Sequence, residues 1–277
     1  MDSNLRKLQL AELNILKVVT AFLDKNGIRY YMNYGTMIGA IRHKGFIPWD
    51  DDVDICIPRP DYEKLLTIAN EMPGTIIFTE YRLGNSLSQI LQAVDESVIV
   101  KTLPFPGAEQ VDSRYAWIDI FPIDGMPSGK IARKIHGERI FFRRFLWGLT
   151  VNKVATKTDL VKGSSFRVKR ILYQIGIPKL LNRDKRLRSL NKLLLKVPYD
   201  TAQFVINSAS PYKMKDIVPK KWIDEYVPIP FEDGVFNGPK GYDAFLTHLY
   251  GDYMTPPPVG SESRNHHNLV EIVTDEG

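Results

Sequence analysis

The stretch Phe46–Cys56, FIPWDDDVDIC, puts four aspartates into five positions and then runs directly into apolar sequence. Carboxylates that close repel one another, so the run is either a solvated acidic loop or a place built for positive charge. The residues that follow favour the second reading. Residues 52–57, DVDICI, alternate with period two, which predicts a strand. In a strand, Asp52, Asp54 and Cys56 share one face, while Val53, Ile55 and Ile57 point to the core. Asp50 has the parity to join Asp52 and Asp54; Asp51 faces elsewhere and is expected to tolerate change. With a rise of ~3.3 Å per residue, neighbouring carboxylates on that face stand about 7 Å apart and can converge on one cation or two. Hard divalent ions such as Mg²⁺ take oxygen ligands of this kind.

Upstream, YGTMIGAIRHKG reads as a turn at Gly35-Thr36 leading into a short helix that ends near His43. A glycine and a hydroxyl at such a turn let backbone N–H groups approach a phosphate, and a helix N-terminus favours the anion. Arg42, His43 and Lys44 add positive charge. A Gly-Thr turn followed by Asp52-x-Asp54 on a neighbouring strand is the pattern of nucleotidyltransferases, which commonly carry a third carboxylate on a later strand. YAWIDIFPIDG offers Asp119, flanked by Ile118 and Ile120. An acid in such a run is expensive to bury unless it is paired or ligates a metal. Asp124, just before Gly125, reads as a turn residue.

Around this nucleus the chain alternates helix and strand. Leu5, Leu8, Leu13, Leu16, Val19 and Leu23 mark a helix over 5–26, stopped by Asn26-Gly27. IRYYMNYGT, TIIFTEY, SVIVKTL and YAWIDIFPI read as strands, and DYEKLLTIANEM as a helix with Pro60 in its first turn. The expected fold class is α/β (α+β): a nucleotidyltransferase-like mixed sheet with packed helices and a basic helical insertion. Three segments are expected, 1–128 as catalytic core, 129–197 as a basic, mainly helical insertion, and 198–277 completing the catalytic domain. Within the last, KWIDEYVPIPFEDGVFNGP reads as turn-rich and GYDAFLTHLYGDY as a helix.

Composition is that of a globular protein: 277 residues, 44% apolar and 25% charged. One cysteine, Cys56, excludes an internal disulfide framework or a cysteine-based zinc cluster. The N-terminal stretch lacks a signal-peptide core, and no window of 18 apolar residues spans a membrane, so a cytoplasmic chain is expected. Charge is uneven. Residues 130–196 hold 19 Lys and Arg against Glu138, Asp159 and Asp184, and the remainder is net acidic.

YGTMIGAIRHKGFIPWDDDVDICIPRPDYEKL, WIDIFPIDGMP and YGDYMTPPP with Arg264 and His266 or His267 closely resemble the LicD family, which includes the fukutin and fukutin-related proteins. The resemblance covers the first 128 residues and roughly the last 50. It implies a metal-dependent transferase that moves a phospho-alcohol from a CDP-activated donor to a sugar hydroxyl. Phosphocholine from CDP-choline is the leading donor group, with ribitol or glycerol phosphate as alternatives, and CMP leaves. The acceptor is a cell-surface glycan or its lipid-linked precursor. Carried over by position, Asp50, Asp52 and Asp54 match the acidic metal motif and Gly35-Thr36 its upstream turn. Asp119 is assigned as third ligand, with Mg²⁺ or Mn²⁺ as cofactor, and as the base that takes the acceptor's proton. Arg42 and Arg264 are assigned to donor phosphates, and His266 or His267 to the acceptor. Tyr34, Tyr31 and Trp49 are candidates to stack on a base or box a quaternary ammonium.

Three readings compete for residues 130–196: a nucleic-acid surface, a plain solvated face, and a surface for an anionic membrane or lipid-linked glycan. No nucleic-acid reading motif is present. Basic residues interleaved with Phe, Trp, Leu and Ile suit an interfacial helix, so peripheral membrane attachment is expected. A glycosyltransferase, a true nucleotidyltransferase and a non-catalytic polyanion- or cation-binding protein are the rival functions.

Overall fold

The computed structural model describes residues 3–79, 90–103, 111–151, 171–172, 174–258 and 269–274. A long helix, α1 (Ser3–Lys25), comes first, its apolar stripe buried and its end marked by Gly27 at φ 61°. After it come a two-residue strand β1 (Tyr31–Met32), helix α2 (Tyr34–His43), strand β2 (Asp54–Pro58) and helix α3 (Arg59–Ile68). Strands β3 (Ile76–Thr79), β4 (Leu91–Thr102) and β5 (Asp112–Met126) complete the first half. The basic segment supplies α4 (Lys130–Val151), α5 (Ile177–Leu180) and α6 (Arg183–Leu194). The remainder gives β6 (Phe204–Ile206), β7 (Ile217–Pro219), β8 (Tyr226–Phe231), β9 (Gly234–Pro239), α7 (Tyr242–Tyr250) and β10 (Leu269–Thr274).

The fold is α+β around a mixed sheet, in the order β1-β2-β5-β4-β10. Strand β5 is its spine: it runs antiparallel to β4, parallel to β2 and, at its far end, antiparallel to β6. The parallel pair is buried on both faces. Ile55, Cys56 and Ile57 are all fully covered, so the alternation of core and open faces read from DVDICI stops at Asp54. Strand β2 itself begins only at Asp54, and residues 50–53 precede the ladder.

Two cores form. The main one joins α1, the sheet and α7, and it includes Tyr199, Phe231 and Phe245 from the chain's last third. A smaller one packs α4 on α6 through Ile140, Leu190, Leu193 and Leu194, against Met126 and Ile206.

Two expectations fail for local reasons. KWIDEYVPIPFEDGVFNGP contains a hairpin, β8–β9, with Phe231 opposite Gly234 and Glu232 at φ 55° in the tight turn. Pro228 and Pro230 argue against an interior strand, but a two-stranded ribbon spares their missing N–H groups. Asp124 is no turn residue: it lies in β5, fully buried, and accepts from Arg59 Nε at 2.6 Å and Nη2 at 2.9 Å.

Candidate active site

The acidic run sits where α1, α2 and the β2–β5 pair meet. Asp50 N–H donates to the Ile47 carbonyl at 2.9 Å, closing a turn, and Gln9 Nε2 of α1 donates to the Asp50 carbonyl at 2.9 Å. The carboxylate of Asp50 then lies against Gly35. A Cβ at Gly35 would come within 2.7 Å of Asp50 Oδ2, so this turn admits only glycine without displacing the acid. Thr36 is buried, and its hydroxyl accepts from the Asp54 N–H at 2.8 Å. Its role in this geometry is to hold the start of β2 against α2; Gly35, not Thr36, borders the cavity.

Asp50, Asp51 and Asp52 each bring a carboxylate oxygen to within 4.8 Å of the others. This corrects the expectation for Asp51. The residues ahead of β2 lie outside the strand, so its parity does not carry over to them, and Asp51 is 0% exposed within the acidic group. Asp54 and Asp119 follow as register partners on the parallel strands. Burial, then the charges of Asp52, Asp119 and Asp50, hold the Asp54 carboxyl well above the ordinary carboxylate range. Gln92 of β4 lies opposite Asp119 and donates to its Oδ1 at 2.6 Å, fixing that carboxylate's orientation.

These acids open on a cavity of about 690 Å³. Asp50, Asp52, Asp54 and Asp119 line it, and Tyr34, Trp49, Phe121, Tyr212 and Tyr250 supply aromatic rings. Tyr34 has a left-handed backbone, φ 45°, and its buried hydroxyl donates to Asp216 and accepts from Asn207 Nδ2 at 2.8 Å. Tyr212 packs edge-on to Tyr250 with ring centroids 5.4 Å apart. Arg144 of the basic segment donates to the carbonyls of Ser208, Ala209 and Ser210, at 2.6, 2.6 and 3.1 Å, just before Pro211 and Tyr212 enter the cavity wall.

Not every expected residue joins this site. Arg42 donates to the Tyr253 carbonyl at 2.9 Å and to His43; it is not a lining residue of the cavity, although the charge of Asp50 reaches it. Tyr31 is buried and stacks on Tyr226. Arg264, His266 and His267 lie outside the described residues.

Besides Asp51 and Phe121, sequence reasoning missed four participants. Tyr212, Tyr250 and Gln92 carried no local signal. Glu12 did: it interrupts the apolar stripe of α1 between Leu8 and Leu16, and it is fully buried with the aspartates around it.

The set fits a hard divalent cation. Five aspartates come together here with a buried glutamate, Glu12, both of whose carboxylate oxygens are buried without a hydrogen-bond donor. Such atoms are costly in a folded protein unless a positive ligand meets them.

A family model described as "LicD/FKTN/FKRP, nucleotidyltransferase domain" matches residues 27–123, which span β1 through most of β5. Over those residues the chain is similar to the LicD family. It is 27% identical over 276 residues to the lipopolysaccharide cholinephosphotransferase LicD of Haemophilus influenzae, covering 95% of this chain and 96% of that protein. It is also 25% identical over 108 residues to the human ribitol 5-phosphate transferase FKRP, covering 37% of this chain and 22% of that protein. The matched LicD segment includes Gly35, all the site aspartates and Gln92, whereas Glu12, Tyr212 and Tyr250 lie beyond it.

Proposed function

We propose that this chain transfers a phospho-alcohol, phosphocholine from CDP-choline in the first instance, to a sugar hydroxyl of a cell-surface glycan or its lipid-linked precursor. The observation that carries this reading is one cavity combining four aspartates with five aromatic rings, bordered by the segment that matches the LicD domain model. The relatives named for cholinephosphate and ribitol phosphate transfer support the reaction class.

In this reading Asp50, Asp51, Asp52, Asp54 and Asp119 would hold Mg²⁺ or Mn²⁺. The cation, when bound, supplies countercharge for the donor pyrophosphate and the departing CMP. Everything else falls to the chain. Asp119, oriented by Gln92, takes the proton from the acceptor hydroxyl. The hydroxyl oxygen bonds to the phosphorus of the phospho-alcohol, the anhydride bond to CMP breaks, and CMP carries away the electron pair. Gly35 leaves room for Asp50. Trp49, Tyr34, Tyr212 and Tyr250 offer ring faces to a trimethylammonium group, which favours choline over ribitol or glycerol, as neither carries a cation.

No helix among the described residues is long and apolar enough to cross a membrane. A peripheral membrane attachment is supported by exposed Ile131, Ile135 and Phe142 on α4, interleaved with exposed Lys130, Lys134 and Arg139. Arg139, Arg143 and Arg186 line a second cavity of about 300 Å³ beside Phe142, suited to an anionic headgroup or a lipid-linked phosphate.

A donor panel tests the substrate. CDP-choline, CDP-ribitol and CDP-glycerol are each supplied with Mg²⁺ and a lipopolysaccharide oligosaccharide, and the glycan's mass is followed. Gain of phosphocholine fastest of the three supports the assignment; preference for ribitol or glycerol phosphate reassigns the alcohol.

A further inference from the structure

Helix α1 lies outside the matched residues 27–123, yet it delivers one more acid to the aspartates. Glu12 is 0% exposed, and neither of its carboxylate oxygens has a hydrogen-bond partner. A buried acid ordinarily meets a base or a donor. Along this helix the nearby bases are committed elsewhere: Arg6 to Glu232 at 2.6 and 3.0 Å, and Lys17 to Asp233 at 2.7 Å. Glu12 instead faces charge of its own sign. After burial itself, Asp52, Asp51, Asp50 and Asp119 are what disfavour its ionised form.

The placement is held firmly. Gln9, one turn earlier, donates to the carbonyls of Asp50 at 2.9 Å and Ile47 at 3.4 Å, fixing the helix against the acidic turn. Leu8 and Leu16, four residues to either side of Glu12, are fully buried core residues, so an apolar side chain would suit the position if packing were its only task.

We infer that Glu12 is a cation ligand, brought by helix α1 to the same site as Asp50, Asp51 and Asp52. The inference rests on the cation site proposed above. It gives the two bare oxygens the partner that the protein withholds. It also makes the cation a tie between the first helix and the sheet, so cation binding adds stability to the fold.

The test is Mn²⁺ binding to the full chain, read by the electron paramagnetic resonance of free Mn²⁺, with thermal unfolding alongside. Wild type, Glu12→Gln and Glu12→Leu are compared, with Glu138→Gln as an exposed-acid control on α4. Wild type and the control are expected to bind Mn²⁺ and melt higher with it. Both Glu12 variants are expected to melt at least as high as wild type without cation. Their Mn²⁺ binding is expected to weaken about tenfold or more, with a smaller rise in Tm on adding it. If the glutamine variant misfolds, the leucine variant, which continues the apolar stripe, carries the comparison. Wild-type affinity in the folded Glu12 variants overturns the inference and leaves the cation site standing. A wild type that binds no Mn²⁺ overturns both.

Discussion

Asp54 and Asp119 stand side by side as register partners on the parallel strands β2 and β5. Adjacent carboxylates in a sheet repel each other, and nothing in the hydrogen-bond ladder requires two acids there. Here both acids line the cavity, and Gln92 on the next strand holds Asp119 by a 2.6 Å hydrogen bond. Asp54→Asn and Asp119→Asn should therefore each lower turnover by at least about a hundredfold. The melting temperature should stay level or rise, because a repulsion is removed. Near-normal turnover in either folded variant removes that residue from the chemistry.

Gly35 tests the packing of the site without changing a charge. A methyl group there would press on Asp50 Oδ2 from 2.7 Å. Gly35→Ala is expected to keep circular dichroism unchanged and to lose about tenfold or more in kcat/KM, because a small misplacement of a ligating carboxylate is costly. Unchanged kinetics would mean that the Asp50 position is not critical.

Asp124 and Arg59 form a bidentate, buried pair at the other end of the β2–β5 pairing from Asp54 and Asp119, with side-chain exposures of 0% and 13%. Asp124→Ala leaves the guanidinium buried without its carboxylate. A loss of about 3–5 kcal/mol is expected by chemical denaturation. A loss below about 1 kcal/mol would show that water takes over the role of Asp124.

Asp216 predicts a pH dependence. Burial raises its pKa from 3.8 to about 6, opposed by hydrogen bonds from Ser210 and Tyr34. Because the folded value lies above the unfolded one, the stabilising contribution is complete below 3.8. It is lost as pH rises through about 6. A shift of that size corresponds to roughly 3 kcal/mol. Asp216→Asn does not ionise, so its stability relative to wild type should climb between pH 4 and 7 and level off above. A difference that stays flat over that window contradicts the assignment.

For the basic helices, the double charge reversal Arg139→Glu with Arg186→Glu should weaken binding to anionic liposomes about tenfold or more at low salt. CMP release with a soluble acceptor should be unchanged. Equal liposome binding would leave this face as an ordinary solvated one.

Much of this site is legible in the primary structure because its ligands are clustered. Asp50, Asp52 and Asp54, the glycine turn and the lone Asp119 declare themselves by spacing and by cost of burial. The error at Asp51 came from extending strand parity past the first paired residue, where a turn had already broken it. Glu12 was readable as an acid inside an apolar stripe, yet only the fold shows which charges it meets. Tyr212 and Tyr250 reach the cavity from the far end of the chain by long-range packing that no local pattern encodes. The β8–β9 hairpin was hidden by its own prolines.

The central claim is tested most directly by CMP release from CDP-choline with Mg²⁺, measured with and without glycan acceptor, for wild type and Asp52→Asn. The account predicts CMP release that requires acceptor and falls by about a hundredfold or more in the folded variant. Acceptor-independent release, no release from any CDP-alcohol, or pyrophosphate formed from a nucleoside triphosphate would contradict it.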